Sequence, residues 1–591
     1  MDNLHHKHRV LPRLRPLAAL IVPLILLPAL AHAADDAAIK PGGTLRIASL
    51  QPDLDAFDPQ TGYSTDSWEI MRAVTRQLVT YAGSPTDIKD DTVLVPDLAK
   101  SWDVSADGKT YTFHLRDNIH YAGATNRPIV AKDFVYTIKR FCDPNKPVAA
   151  VNYFNLAFSG FADYCKAFAK VPTGDLAATK AFIDSHEIAG VSAPDDKTLV
   201  LRSDTKNYDF LNILSMNFVT PLPEEVVSKT YPDSQEFRKN YPSSGPYYVA
   251  SYATGQKLVL KKVENYDHAG DPARKAYVDQ IDVDFTGNSE DSVVQRIQAG
   301  DADLSLYLDV PPLSLIRQYV VNKSPYLHSS NSGGANFIAL NTQPASTSAG
   351  ADALRKLPVR QALAYAVNKA HIVQAQGGKI AALPLGQILT STILGHQPFD
   401  PYATPDSKGS PEKARALLKE AGYPNGLTLD LVHRANAQFS TIAVVLKQDL
   451  AASGIQLNLI PIPAAQYMSY LQNPKNKWDL ALAQTAPDWQ GPSTRMLLGG
   501  WLNSNASPCG QGNVYAVCYS NPALNALAEK AFPSDNPGPI WTEADKIAST
   551  DLPWIPLFEK RKLAVTSDRI THWSWSSLAT HADITNIAVK N

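Results

Sequence analysis

Between Ser410 and Asp488 the chain alternates helix-like and strand-like segments, and this pattern restricts the fold more than any other feature. Pro411 suits a first helical turn, Ser410 is placed to cap it, and Gly422 ends it. Leu427, Leu429 and Leu431 alternate as a strand. Phe439 to Ala452 is amphipathic and stops near Gly454, and Ile455, Leu457 and Leu459 alternate again. A helix over about Ala464–Gln472 and a strand over Trp478–Ala483 complete β-α-β-α-β. Such an order requires a parallel sheet with right-handed crossovers. Open α/β sheets bind ligands beyond the carboxyl ends of their strands. Arg434 follows the first of these strands and Asp488 the last, flanked by Pro487 and Trp489. A cation and an anion on one rim would clamp a zwitterion. The simpler alternatives are two solvated loop charges, or a pair satisfied by each other.

The rest of the chain is mixed helix and strand without internal repeats. Gly43–Ser49 alternates as an opening strand, and Asp66–Thr80 reads as a helix. Lys109–Arg116 alternates after the turn Ser105-Ala-Asp-Gly108, as one arm of a hairpin, and Ala131–Phe141 reads as helical. A second hairpin follows Ser244-Gly245-Pro246, and Ser289–Ala299 is a short helix closed by Gly300. Pro358 begins a helix whose stripe is Val359, Ala362, Leu363, Ala366 and Val367.

A chain of 591 residues with 44% hydrophobic and 19% charged residues is globular and long enough for two or more lobes. Its net charge of −2 lacks the basic field of a nucleic-acid binder. Residues 1–33 read as a cleaved export signal. Lys7, Arg9, Arg13 and Arg15 precede the apolar run Leu17–Leu30, which ends in Ala31-His32-Ala33. The run is shorter than the roughly 20 residues of a stable anchor. No Cys lies near the cleavage site for a lipid anchor, which fits a Gram-negative periplasm. Removing four cations and one anion leaves 51 basic against 56 acidic residues. The four cysteines suit an exported protein, and Cys142 with Cys165 and Cys509 with Cys518 is the simplest of three pairings. Neither pair has metal-ligand spacing.

Catalytic motifs are scarce. The sequence has no Gly-x-Ser-x-Gly elbow, no His-Glu-x-x-His and no phosphate loop. His186-Glu187 lacks a second His, and Ser410-Pro-Glu-Lys413 is better explained as a helix start. No cofactor or metal is implied, and the expectation is a protein that is not an enzyme.

Together these segments resemble the large extracytoplasmic solute-binding proteins of ABC importers, the dipeptide- and oligopeptide-binding family. The resemblance spans nearly the whole chain after the leader. It is carried by Pro41-Gly-Gly-Thr-Leu-Arg-Ile47, Val95–Arg116, Ala131–Arg140, Ser244-Gly-Pro-Tyr247, Phe337–Thr342, Val359–Ala366 and Ala421–Gly426. It implies an α/β fold of the periplasmic binding protein type, with two hinged lobes and an inserted third domain (cluster C). Lobe I would comprise residues 40–80, 205–308 and 555–591, domain II residues 81–204 and lobe III residues 309–554. Peptide would be trapped between lobes I and III by hinge closure, and a membrane permease with its ATPases would receive it from a monomeric binder.

The resemblance also implies roles for single residues. Ala486-Pro-Asp-Trp489 matches the loop whose Asp holds the ligand ammonium, so Asp488, with Trp489 beside it, takes that part. Val432-His-Arg-Ala435 resembles the segment whose Arg holds the ligand carboxylate, which is Arg434 here. Tyr63 and Ser64 fall on the lobe I loop that faces ligand. Two departures concern ligand class: Leu383–His396 lacks an aromatic that relatives carry, and Asn436 stands where some dipeptide binders have one. A non-peptide solute (oligosaccharide, metal chelate or opine) on the same scaffold is the nearest alternative. A secreted α/β hydrolase and a ligand sensor are more distant ones.

Overall fold

The computed structural model describes residues 39–591 except Ala124, Asn288, 307–310, Ala345, Pro474, Pro492, 510–514, Ala516, 579–580 and Asn591. The expected leader, 1–33, lies outside the described residues.

Strand β1 (Thr44–Ser49) opens the fold and leads to helix α1 (Thr65–Val74) and strand β2 (Val79–Tyr81). The helix expected to run to Thr80 therefore stops at Val74. Thr75 turns extended, and its N–H and hydroxyl both donate to the Met71 carbonyl. The next residue is pulled out of the helix by tertiary contacts: the Arg76 N–H donates to Ser244 Oγ, and its guanidinium donates to Asp97 at 2.6 Å. A four-stranded antiparallel sheet follows, made of β3 (Ala99–Val104), β4 (Thr110–Leu115), β5 (Val191–Asp195) and β6 (Thr198–Arg202), in the order β3-β4-β6-β5. Helix α2 (Val151–Ala157) lies in the connection between β4 and β5, and helix α3 (Phe210–Leu214) comes after β6. Strands β7 (Tyr247–Ala253), β8 (Lys257–Lys262), β9 (Gln280–Asp284) and β10 (Leu304–Leu306) join β1 in a mixed sheet ordered β10-β1-β9-β8-β7. The four- and five-stranded sheets share one core, which includes Leu45, Ile47, Phe113, Leu199, Leu258 and Ile281.

The second half builds a six-stranded mixed sheet. Its strands are β11 (Leu327–Leu340), β12 (Ala382–Pro384), β13 (Leu427–Arg434), β14 (Ile455–Ile462), β15 (Leu480–Thr485) and β16 (Trp554–Val565), in the order β12-β16-β11-β15-β13-β14. Between them lie α4 (Pro411–Glu420), α5 (Ala437–Ala451) and α6 (Tyr467–Gln472). Strand β13 pairs parallel with both β14 and β15, as the alternating pattern requires. The sheet is covered on both faces, so its strands are apolar at successive positions. Ile338, Leu340, Leu480 and Leu482 face one core, and Phe337, Ala339, Ala481 and Ala483 face the other. Ser410 occupies the cap position of α4, but its hydroxyl makes no capping bond. Its N–H instead donates to the Tyr365 carbonyl at 2.6 Å.

The long strands β11 and β16 pair from Leu327↔Val565 to Ala339↔Trp554, with register shifts between Asn331 and Ala335 and at Asn336/Phe337. Disulfides join Cys142 to Cys165 and Cys509 to Cys518, the simplest of the pairings. Among the described residues no helix is long and apolar enough to cross a membrane.

Candidate binding site at the strand ends

Asp488 lies three residues beyond β15, on a loop tied to the irregularity of β11. Gln490 Nε2 donates to the Ser332 carbonyl at 2.9 Å. Gly333 has φ +68°, and a β-carbon there would come within 2.8 Å of both Pro487 and Gln490. Glycine at this point is what lets the loop approach the strand. Trp489 is 1% exposed, and its ring packs in the core of the other sheets, 5.5 Å from the Tyr153 ring. The loop therefore crosses from one core to the other.

The half-buried Asp488 carboxylate accepts two hydrogen bonds on Oδ2, from Tyr153 Oη at 2.6 Å and from Tyr63 Oη at 3.1 Å. Both donors are neutral phenols. Among the described residues no Lys, Arg or His pairs with it. Burial raises its pKa above the usual carboxylate range, and the two phenols only partly counter this. Tyr153 is in turn pushed well above an ordinary phenol by burial and by the Asp488 charge. Tyr63 is 42% exposed and packs on Phe218 and Trp68 at 5.5 and 5.9 Å between ring centroids. Ser64 is turned to another task. It caps α1, accepting from the Ser67 N–H, and donates its hydroxyl to Asp55 at 2.5 Å.

Arg434 is the last residue of β13, and its surroundings are aromatic. Its guanidinium lies 4.6 Å from the Tyr467 ring centroid and 5.3 Å from that of Phe439, with Nη2 4.0 Å from Met468 Sδ. Among the described residues Nη1 is buried without a hydrogen-bond partner. The guanidinium also faces the Tyr515 phenol and lowers its pKa against the larger opposite effect of burial. Tyr467 is fixed by donating to the Leu482 carbonyl at 2.7 Å. Arg434 and Asp488 thus sit at the ends of neighbouring parallel strands without pairing to each other. Among the described residues one guanidinium nitrogen has no partner, though the guanidinium also bonds Tyr515, and the carboxylate is held by neutral donors alone.

A family profile for bacterial extracellular solute-binding proteins, family 5 Middle, matches residues 93–505. The chain belongs to this family. Heme-binding protein A of Haemophilus influenzae is 27% identical over 544 residues, covering 86% of this chain and 85% of that protein. The dipeptide-binding protein of Escherichia coli is 25% identical, over 73% of this chain and 71% of its own. Di/tripeptide-binding protein 4 of Pseudomonas aeruginosa is 28% identical, over 79% and 81%. Among solved structures, clavulanic acid biosynthesis oligopeptide binding protein 2 superimposes with a TM-score of 0.80 at 22% identity, covering 93% of this chain and 96% of that one. A Helicobacter pylori periplasmic binding protein in complex with the peptide STSA gives 0.67 at 21% identity, over 93% and 99%. These neighbours establish the periplasmic binding protein fold.

The sequence singles out Asp488, Arg434, Trp489, Tyr63 and Ser64. The structure brings Asp488, Tyr63 and Trp489 together, sets Arg434 apart in an aromatic frame, and uses Ser64 as a cap. It adds Tyr153, Tyr467 and Tyr515, which sequence reasoning missed. Tyr153 is 335 positions from Asp488, and no local pattern links them.

Proposed function

We propose that this chain is the substrate-binding component of an ABC importer, capturing di- or oligopeptides between two lobes and passing them to a membrane permease. The observation that carries the reading is the Asp488 carboxylate, enclosed at a strand end and held by neutral hydrogen-bond donors. A peptide ammonium supplies the cation that burial makes favourable. Arg434 offers the peptide carboxylate a planar fork. In this reading residues 40–80, 205–308 and 555–591 form lobe I, 81–204 domain II and 309–554 lobe III. The hinge falls on the strands β11 and β16, where the register shifts between Asn331 and Ala335 opposite Arg561 and Glu559. A hinge there moves the lobe boundaries from 308/309 and 554/555 to these register shifts, because Leu315, Leu327 and Val565 pack with Ala48 of β1, whereas Ile555, Leu557 and Phe558 pack in the core of the six-stranded sheet. The chain acts as an exported, periplasmic monomer after removal of its leader, and it returns its ligand chemically unchanged.

A thermal-shift screen of the chain from Ala34 tests this. Di-, tri- and longer peptides are compared with their N-acetylated forms. A ligand at one hundred times its Kd stabilises the fold by about 2.7 kcal/mol. Stabilisation by free-amine peptides that vanishes on acetylation is the expected result, and no response to any peptide from ligand-stripped protein overturns it. Heme is a second reading, because the Haemophilus influenzae relative covers more of this chain than the dipeptide-binding protein does. Adding hemin to the same screen separates the two.

A further inference from the structure

Arg495 opens a π-helix (Arg495–Trp501) seven positions beyond Asp488. Single π-turns are rare and concentrate at functional sites. The Arg495 side chain is buried and grips Asp209 with both arms of its fork: Nε donates to Oδ2 and Nη2 to Oδ1, each at 2.6 Å. Nη2 also donates to Asn207 Oδ1 at 3.1 Å. The guanidinium stacks over Phe532 at 4.4 Å. Asp209 is 0% exposed and precedes α3, whose Phe210, Ile213 and Leu214 belong to the core of the four- and five-stranded sheets. Leu497 and Leu498, next to Arg495, belong to the six-stranded sheet's core. The ion pair therefore joins the same two cores that Trp489 and the Asp488–Tyr153 bond join. It also neighbours that bond, since Asp209 and Arg495 both act electrostatically on Tyr153.

The two ends of residues 488–495 differ in charge balance. At Asp488 a half-buried carboxylate has only neutral donors among the described residues. At Arg495 the anion and cation neutralise each other through two charge-assisted bonds, and Asn207 accepts a further one from the guanidinium. One contact across the seam is thus complete before ligand arrives, and the other is not. We propose that Arg495 and Asp209 are a positioning pair, which docks the Asp488 loop across the seam and sets Asp488 against Tyr153 ready for the ligand's ammonium. Only the ligand half of this proposal rests on the peptide reading above.

The test uses Arg495→Met, Arg495→Lys and Asp209→Asn in the full chain from Ala34. Two readouts are taken: the radius of gyration of ligand-free protein by small-angle scattering, and calorimetric titration with Ala-Ala and N-acetyl-Ala-Ala. Arg495→Met is expected to enlarge the ligand-free protein and weaken Ala-Ala at least tenfold, while the preference for the free amine persists. Arg495→Lys falls between, because an ammonium cannot form the fork. A folded Arg495→Met with wild-type dimensions overturns the proposal, whether or not its affinity changes. If wild type binds neither peptide, the peptide reading fails and scattering alone decides: expansion of Arg495→Met supports the pair, and its absence overturns it. If Arg495→Met does not fold, Arg495→Lys and Asp209→Asn are read by the same criteria.

Discussion

The two charged ends of the rim are held in opposite ways. Among the described residues, the groups around Arg434 belong to the unit built on the six-stranded sheet: Phe439 on α5, Tyr467 and Met468 on α6, and Tyr515 between Cys509 and Cys518. Asp488 draws its donors from outside that unit, Tyr63 just before α1 and Tyr153 on α2. Arg434 is therefore preorganised by one core, whereas the Asp488 environment exists only where two cores meet. Under the proposed function this is a division of labour, in which the arginine end is fixed in advance and the aspartate end couples binding to closure.

This contrast can be broken most sharply at Asp488. Asp488→Ala is expected to weaken free-amine peptide binding by about 2–5 kcal/mol, as for truncation of a buried charge partner. Calorimetry showing wild-type affinity would remove Asp488 from the anchor role. Arg434→Met comes next, at about 1.5–3 kcal/mol for lost bonds to a charged group. The same substitution should abolish discrimination between a peptide and its C-terminal amide, and persistence of that discrimination would place the carboxylate elsewhere. Tyr153→Phe removes one 2.6 Å bond to Asp488. It should lower ligand-free stability by about 0.5–1.5 kcal/mol in denaturant titration, and an unchanged midpoint would mean the bond contributes nothing.

The smallest expected effect on binding concerns a buried carboxyl away from the rim. Burial pushes Glu69 up to about 8 from an ordinary 4.5; Lys562 opposes this, while Asp66 and Asp583 add to it. A folded value above the unfolded one means the folded state holds this proton more tightly. The resulting stability is complete below pH 4.5 and is lost as pH rises toward about 8. Glu69→Gln should flatten that part of the stability profile, a change on the order of a few kcal/mol, and leave peptide affinity unaltered. A profile as steep as wild type's would assign the pH dependence to other groups.

Much of this architecture was legible because local chemistry determines it. The segment 410–488 folds as its period predicts, with β13 ending at Arg434, the polar residue that follows its apolar run. Sheet topology alone marks Asp488 and Arg434 as candidates, because both follow strand ends on one rim. The misreadings have tertiary causes. Arg76, Gln77 and Leu78 are good helix formers, yet Asp97 and Ser244 draw Arg76 away. Ser410 has a capping side chain, but its backbone bond to Tyr365 fixes the helix start without it. Tyr153, Asp209 and Arg495 were illegible for a similar reason. Their partners lie 335 and 286 positions away, and a tyrosine on a short helix looks the same in sequence whether it packs or binds.

The most direct test is a double-mutant cycle by titration calorimetry, with Ala-Ala and N-acetyl-Ala-Ala measured on wild type and on Asp488→Asn. The account predicts that acetylation weakens binding strongly in wild type and hardly at all in Asp488→Asn, because the lost ammonium and the lost carboxylate are the same interaction. An equal acetylation penalty in both proteins would contradict it, and would mean that the ligand's amine is held by a group other than Asp488.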